Sequence, residues 1–204
     1  MLVKATELEV RYQNVAPPFN WKQIFGNSAP VEIEIGFGKC GFLIGVARAC
    51  PAVNFLGIEM SRKYYRKGIK KIQRTDLKNV KLLWGEAFHL FKRYIAHRSV
   101  AHIYVNFPDP WPKKRHAKRR LLTGEFLDVA ADTLLPGGCL EIATDVETYM
   151  ADTLKTLQGH ERYRCVYSLT NAELDNQRQF CSDYETGFLE EGKTLYYAKY
   201  RKIC

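Results

Sequence analysis

Short apolar, β-branched runs alternate along this chain with stretches whose apolar residues recur every three or four positions. Residues 31–36 (VEIEIG), 54–60 (NFLGIEM), 80–85 (VKLLWG), 100–107 (VAHIYVNF) and 138–145 (GCLEIATD) read as strands. Between them, residues 40–50 are small and apolar, and residues 62–74 put Tyr65, Ile69 and Ile72 on one side at helical spacing. Residues 124–135 do the same with Phe126, Leu127, Ala130, Ala131 and Leu134, and Pro136, Gly137 and Gly138 stop that helix. Thr144 and Asp145 can cap a further helix over 146–157.

Strands that are apolar throughout and alternate with helices predict a parallel sheet covered on both faces. Right-handed crossovers then make it doubly wound. The end of the chain breaks this pattern. Residues 163–169 and 194–201 both read as strands, with a polar stretch and no long amphipathic helix between them. An antiparallel pair is expected there. The expected fold is a Rossmann-like α/β domain over 31–204, mostly parallel, with a C-terminal antiparallel strand pair. Residues 1–30 are weakly patterned and broken by Pro17, Pro18 and Pro30; they read as an N-terminal arm with one helical turn near Trp21 to Phe25.

The length of 204 residues is enough for one domain with a sizeable core. At 46% hydrophobic and 26% charged, the composition excludes a disordered chain. No run of ~18 apolar residues is present, so no transmembrane helix is expected; the N-terminus lacks a basic patch followed by an apolar run, so no signal peptide is expected either, and the chain reads as cytoplasmic. The six cysteines are scattered without a CxxC pair. Reduced thiols are expected, with no metal site.

Charge changes the picture more. The net charge is +9, but residues 61–120 carry eighteen basic and three acidic residues, whereas residues 121–204 carry eight basic and fourteen acidic. That partition points to a polyanion-facing surface built from one stretch.

The run Gly36, Phe37, Gly38, Lys39, Cys40, Gly41 fits GxGxxG directly after a predicted strand and at the opening of a helix. Glu59, at the end of the second strand, stands where an acidic residue binds a ribose diol. This motif serves NAD and S-adenosylmethionine (SAM) equally, and a plain tight turn also fits it. Glu34 shifts the balance. A carboxylate two residues before Gly36 would repel a pyrophosphate at the helix N-terminus, whereas the sulfonium and α-amino group of SAM are cationic and favour it. Glu86 and Ala87 follow the third strand. Glu86 offers a carboxylate to an adenine amino group or, alternatively, caps the next helix.

After the fourth strand comes Asn106, Phe107, Pro108, Asp109, Pro110, Trp111, Pro112. Its prolines stiffen a loop at the carboxyl edge of the sheet, where ligands bind, and hold Asp109 beside an aromatic ring. Such a loop resembles those of methyltransferases that act on nitrogen. Residues 113–120 (KKRHAKRR) follow with no acid, and residues 62–74 add Arg62, Lys63, Arg66, Lys67, Lys70, Lys71 and Arg74, again with none. Both basic elements begin at the ligand edge, which is the footprint of a phosphate backbone.

Taken together, residues 31–202 resemble the tRNA (guanine-N7-)-methyltransferases. The resemblance is most specific in FPDPWPKKRHAKRR (107–120), with GIEMS (57–61) and ATDVETY (143–149) in the expected order. The family's Thr-x-aromatic-Glu motif is matched by Ser182, Asp183, Tyr184 and Glu185. The resemblance implies that Glu34, Gly36, Gly38, Glu59, Glu86, Ala87 and Asp109 line a SAM site and that Asp109 is catalytic. Lys113, Asp145, Ser182, Asp183, Tyr184 and Glu185 would contact the guanosine. Arg115, His116, Lys118, Arg119 and Arg120 would face the RNA. Glu86 stands where the family more usually has Asp, and Ser182 where it has Thr. Trp111 is similar to the bacterial form, which implies tRNA as partner, no obligatory protein partner, and a monomer or homodimer. The competing readings are an NAD-dependent oxidoreductase, against which Glu34 and the FPDPW loop argue, a non-catalytic RNA-binding module, against which the acidic set Glu34, Glu59 and Asp109 argues, and a methyltransferase with another RNA target.

Overall fold

Seven strands form a single sheet: β1 (Val31–Ile35), β2 (Asn54–Glu59), β3 (Val80–Trp84), β4 (Val100–Asn106), β5 (Leu134–Thr144), β6 (Tyr163–Thr170) and β7 (Tyr196–Lys202). The order is β3-β2-β1-β4-β5-β7-β6. Strands β1 to β5 are parallel, and β7 inserts antiparallel between β5 and β6. The structure is a computed structural model that describes residues 5–112, 114–174 and 180–203. The expected doubly wound sheet with its C-terminal antiparallel strands is the observed one.

Eight helices flank the sheet among the described residues: α1 (Ala5–Leu8), α2 (Trp21–Phe25), α3 (Gly41–Ala49), α4 (Arg62–Ile72), α5 (Ala87–Arg93), α6 (Gly124–Thr133), α7 (Glu147–Gln158) and α8 (Asp183–Glu190). Alternation of side chains along the strands sends two apolar sets to opposite faces. Ile33, Ile35, Ile58, Ile103 and Val105 pack under α5, α6 and α7 through Leu90, Phe91, Phe126, Leu127, Ala130, Tyr149 and Met150. Phe55, Val80 and Leu82 pack under α3 and α4 through Leu43, Val46, Ile69 and Ile72. Burying a side chain of this kind stabilises the fold by about 1.5–3 kcal/mol, and the two layers clamp the sheet so that its carboxyl edge is rigid.

Two regions differ from the sequence reading. The polar stretch between β6 and β7 holds α8, which no apolar periodicity announced. Its signal was of another kind. Ser182 and Glu185 form a capping box, with the Ser182 hydroxyl accepting the Glu185 N–H at 3.0 Å and the Glu185 carboxylate accepting the Ser182 N–H at 3.1 Å. The second region is the stretch read as an N-terminal arm, which lies against the sheet. Leu8, Val10 and Phe19 are buried, and the Val10 N–H donates to the Leu82 carbonyl at 2.8 Å. Strand β3 would otherwise be an open edge, and residues 8–10 cover it.

Candidate active site

Strand order reverses between β1 and β4, so the chain leaves these two strands in opposite directions and opens a crevice above their carboxyl ends. A cavity of about 1140 Å³ occupies that place. Its walls come from the turn after β1, the starts of α4 and α5, the loop after β4, the start of α7, and α8.

The turn after β1 carries Gly36 at φ 74° and Gly38 at φ 50°, the left-handed region that side chains disfavour. Both line the cavity, and open space stands where a Cβ on Gly36 would be. Phe37, between them, turns its ring down into the core. It comes so close to Gly57 and Gly68 that an added Cβ would lie 2.7 Å and 2.5 Å from it. The turn is fixed from the neighbouring strand: one Glu59 carboxylate oxygen accepts the Gly38 N–H at 3.0 Å and the other accepts the Ser61 N–H at 2.7 Å. Glu59 is buried yet reaches the cavity wall.

The other acidic residues take different places. Glu34 lies behind the wall, 2% exposed within β1, and accepts the Asn106 side-chain amide at 3.1 Å. Asn106, which sequence reasoning had not assigned, is what reaches the cavity there. Glu86 reaches the wall together with Ala87, and its carboxylate accepts the N–H groups of Phe88 (2.8 Å) and His89 (2.7 Å). The helix cap is present in the fold, and the same side chain lines the cavity.

The loop after β4 is held at both ends. Phe107 and Trp111 have φ of 51° and 41°, strained values for non-glycine residues. The Phe107 N–H donates to the Ala143 carbonyl at 2.8 Å, and the Arg120 guanidinium donates to the Pro110 carbonyl at 2.9 Å. Between these ties Asp109 projects, exposed, on the cavity rim. Arg120 also pairs with Asp152 on α7 at 2.7 Å and lies over the Tyr149 ring, with its side chain only 18% exposed. It braces the loop against α7, because a guanidinium satisfies several acceptors at once, and it also lines the cavity. Arg115, His116, Lys118 and Arg119 stand on a 3-10 turn, Lys114–Arg119. The Arg119 guanidinium lies 4.9 Å over the Trp111 ring, and the His116 ring meets Trp111 edge-on at 5.7 Å. Lys113 falls outside the described residues.

Of the residues read as guanosine contacts, Asp145 and Tyr184 line the cavity. Ser182 and Glu185 do not reach it. They are committed to the capping box, and Glu185 also accepts the Tyr197 hydroxyl at 2.8 Å while fully buried. Asp183 packs against Gly41 and pairs with Lys71 at 3.4 Å. The Tyr184 ring rests on Gly38, 3.0 Å from where a Cβ would stand. A hydrogen bond with Tyr64 is the main reason that the Tyr184 phenol is pushed up to about 12, with burial next and Glu59 and Asp109 adding to it. Tyr64, Met60 and Ser61 complete the rim. Sequence reasoning assigned no role to Tyr64, although its place in the first turn after β2, at the ligand edge, was legible.

The site fits SAM on the chemistry of its own groups. It has a glycine turn bare of Cβ, a buried carboxylate at the end of β2, and apolar wall residues Ile58, Met60 and Ala87 for a purine. Among the described residues no cluster could hold a metal ion, and no helix is long and apolar enough to cross a membrane.

Comparison with known proteins agrees with this geometry. A methyltransferase family model matches residues 28–198. A tRNA (guanine-N(7)-)-methyltransferase of Thermotoga maritima is 36% identical over 200 residues, covering 97% of this chain and 62% of that protein, so the chain spans about three fifths of that relative. One of Geobacter metallireducens is 32% identical over 190 residues, covering 93% of this chain and 90% of its own. Among solved structures, an antibiotic-related methyltransferase superposes with a TM-score of 0.61 at 18% identity, over 88% of this chain and 91% of that one, which shows the shared fold. Fold and relatives together indicate a SAM-binding methyltransferase, and the chain belongs to the family of the tRNA (guanine-N(7)-)-methyltransferases.

Proposed function

We propose that this protein transfers the methyl group of SAM to N7 of a guanosine in tRNA, in the variable loop, leaving 7-methylguanosine. The observation that carries the reading is the joining, in one cavity, of the Glu59-braced glycine turn with the Asp109 loop and the cationic turn behind it. When bound, SAM supplies an electrophilic methyl group. The residues proposed to hold it are Gly36, Gly38, Glu59, Glu86 and Ala87, with Glu34 acting through Asn106.

Guanine N7 carries a free lone pair, so no strong base is needed to create the nucleophile. The work left to the protein is positioning and electrostatics. Asp109, exposed on a rigid loop, accepts hydrogen bonds from the guanine edge and stabilises the positive charge that develops on the base. Asp145 and Tyr184 bound the base from the far walls, and Trp111 offers a stacking face once Arg119 yields it. A guanosine buried in tRNA tertiary structure must be extruded to reach this pocket. Arg115, His116, Lys118 and Arg119 then hold the backbone beside it. The protein acts in the cytoplasm, as a monomer or homodimer without an obligatory partner.

The test is transfer of labelled methyl from SAM to bulk tRNA, followed by nucleoside analysis. Label in 7-methylguanosine supports the reading. Label in another nucleoside, or none, overturns it.

A further inference from the structure

The seven cations of residues 62–74 are not equivalent once α4 is folded. At ~100° per residue, Gly68, Ile69 and Ile72 are buried and Tyr65 joins them. Lys71 lies on one flank, where it pairs with Asp183 and donates to the Lys39 carbonyl at 2.9 Å. Arg62 lies on the other, 4.3 Å over the Trp84 ring, and the exposed Arg66 stands on the same flank one turn further on. Opposite the buried face, Lys63, Lys67 and Lys70 recur at i, i+4 and i+7, and Arg74 continues the line in the turn beyond. All four are exposed, and among the described residues none forms an ion pair. Lys67 lies only loosely over the Tyr64 ring, at 5.9 Å. From first to last the stripe is ~16 Å long at 1.5 Å per residue.

A row of four uncompensated cations raises the local potential and destabilises the bare helix. That cost is offset when a row of anions at similar spacing covers it. The sheet order places the stripe. Helix α4 follows β2 and the Lys114–Arg119 turn follows β4, and β1, whose end bears the glycine turn, lies between them. Helix α4 and the Lys114–Arg119 turn therefore begin on either side of β1, with Ser61 and Tyr64 at the start of α4 on the cavity rim and the stripe running on from them along the helix.

We propose that the Lys63–Lys67–Lys70–Arg74 stripe is a second RNA-backbone surface, so that the strand bearing the target nucleoside is gripped on both sides of the cavity. The inference rests on the proposed RNA substrate and deepens it. The partner is a polyphosphate backbone, chosen over an acidic protein face because the stripe is linear, single-signed and carried by the helix whose first turn reaches the cavity rim.

The experiment measures tRNA binding by fluorescence anisotropy across a salt series, for the wild type and for a variant with Lys63→Gln, Lys67→Gln, Lys70→Gln and Arg74→Gln. A control of equal charge carries Lys155→Gln, Arg164→Gln, Lys193→Gln and Arg201→Gln. Thermal unfolding confirms that both fold. The expected result is at least a tenfold loss of affinity in the stripe variant alone, with a log–log salt slope shallower by about 3. An unchanged slope, or an equal loss in the control, overturns the proposal. So does a change of sedimentation coefficient with tRNA binding intact, which would assign the stripe to a second protein chain. Because the readout is binding, it is separable from methyl transfer. Stripe-dependent binding without 7-methylguanosine would sink the proposed function and leave this surface standing.

Discussion

Glu59 at the end of β2 accepts the N–H of Gly38 at 3.0 Å, and this one hydrogen bond ties the second strand to the turn that follows the first. The second carboxylate oxygen holds Ser61, the N-cap of α4. A single buried side chain thus sets both the cofactor turn and the start of the cationic helix.

Glu59→Gln replaces one acceptor oxygen by an N–H₂ that faces a backbone donor. Stability is expected to fall by about 1–3 kcal/mol, the cost of an unsatisfied buried group, and SAM affinity by at least tenfold. Urea unfolding and calorimetry check the two effects. Weakened folding with unchanged SAM affinity would confine Glu59 to a structural role.

Asp109 is exposed on its rim, so Asp109→Asn should fold as the wild type does. Single-turnover methylation is expected to slow by about 100-fold or more, the scale of a lost transition-state electrostatic contact, with tRNA affinity retained. Near-normal turnover would remove Asp109 from the mechanism.

The capping box makes a prediction that separates two roles for the Ser182 motif. Ser182→Ala should cost about 1 kcal/mol of stability, and Tyr197→Phe about 1–3 kcal/mol by withdrawing a donor from the buried Glu185 carboxylate. Activity assayed well below the unfolding temperature should survive in both. Full thermal stability with lost activity would return these residues to the substrate.

Alkaline pH should destabilise the fold. Burial pushes Tyr65 and Tyr200 up to about 12, and the Tyr64 hydrogen bond does the same for Tyr184. Their contribution is fully present below pH 10, where the phenols are neutral in folded and unfolded chains alike, and is lost as pH rises through 12. The unfolding temperature should therefore fall as pH rises from 10 toward 12. Ultraviolet titration of phenolate should show these rings ionising in the folded protein only near pH 12, later than free tyrosine. A flat unfolding temperature through pH 11.5 contradicts the argument.

Much of this molecule was legible in one dimension. Strands such as VEIEIG and NFLGIEM announce themselves because a sheet buried on both faces needs uninterrupted apolar, β-branched residues, and the glycine turn follows because only glycine tolerates its φ values. The Asp109 loop was visible through its prolines. Helix α8 was hidden because Glu185 is its only buried residue, and its capping box was read as a substrate motif. The two uses of Ser-x-x-Glu are identical as sequence.

What the chain by itself determined is the layer order and the chemistry of its turns, since periodicity and backbone freedom are local properties. What only the tertiary structure decided is the use of each polar group. Glu34 stands behind Asn106, Glu86 caps a helix, Arg120 braces a loop, and Lys63, Lys67, Lys70 and Arg74 are left open while Lys71 is spent on Asp183. A charged side chain is committed by whichever partner folding brings within about 3 Å. That partner is most often dozens of residues away, so composition and spacing do not name it.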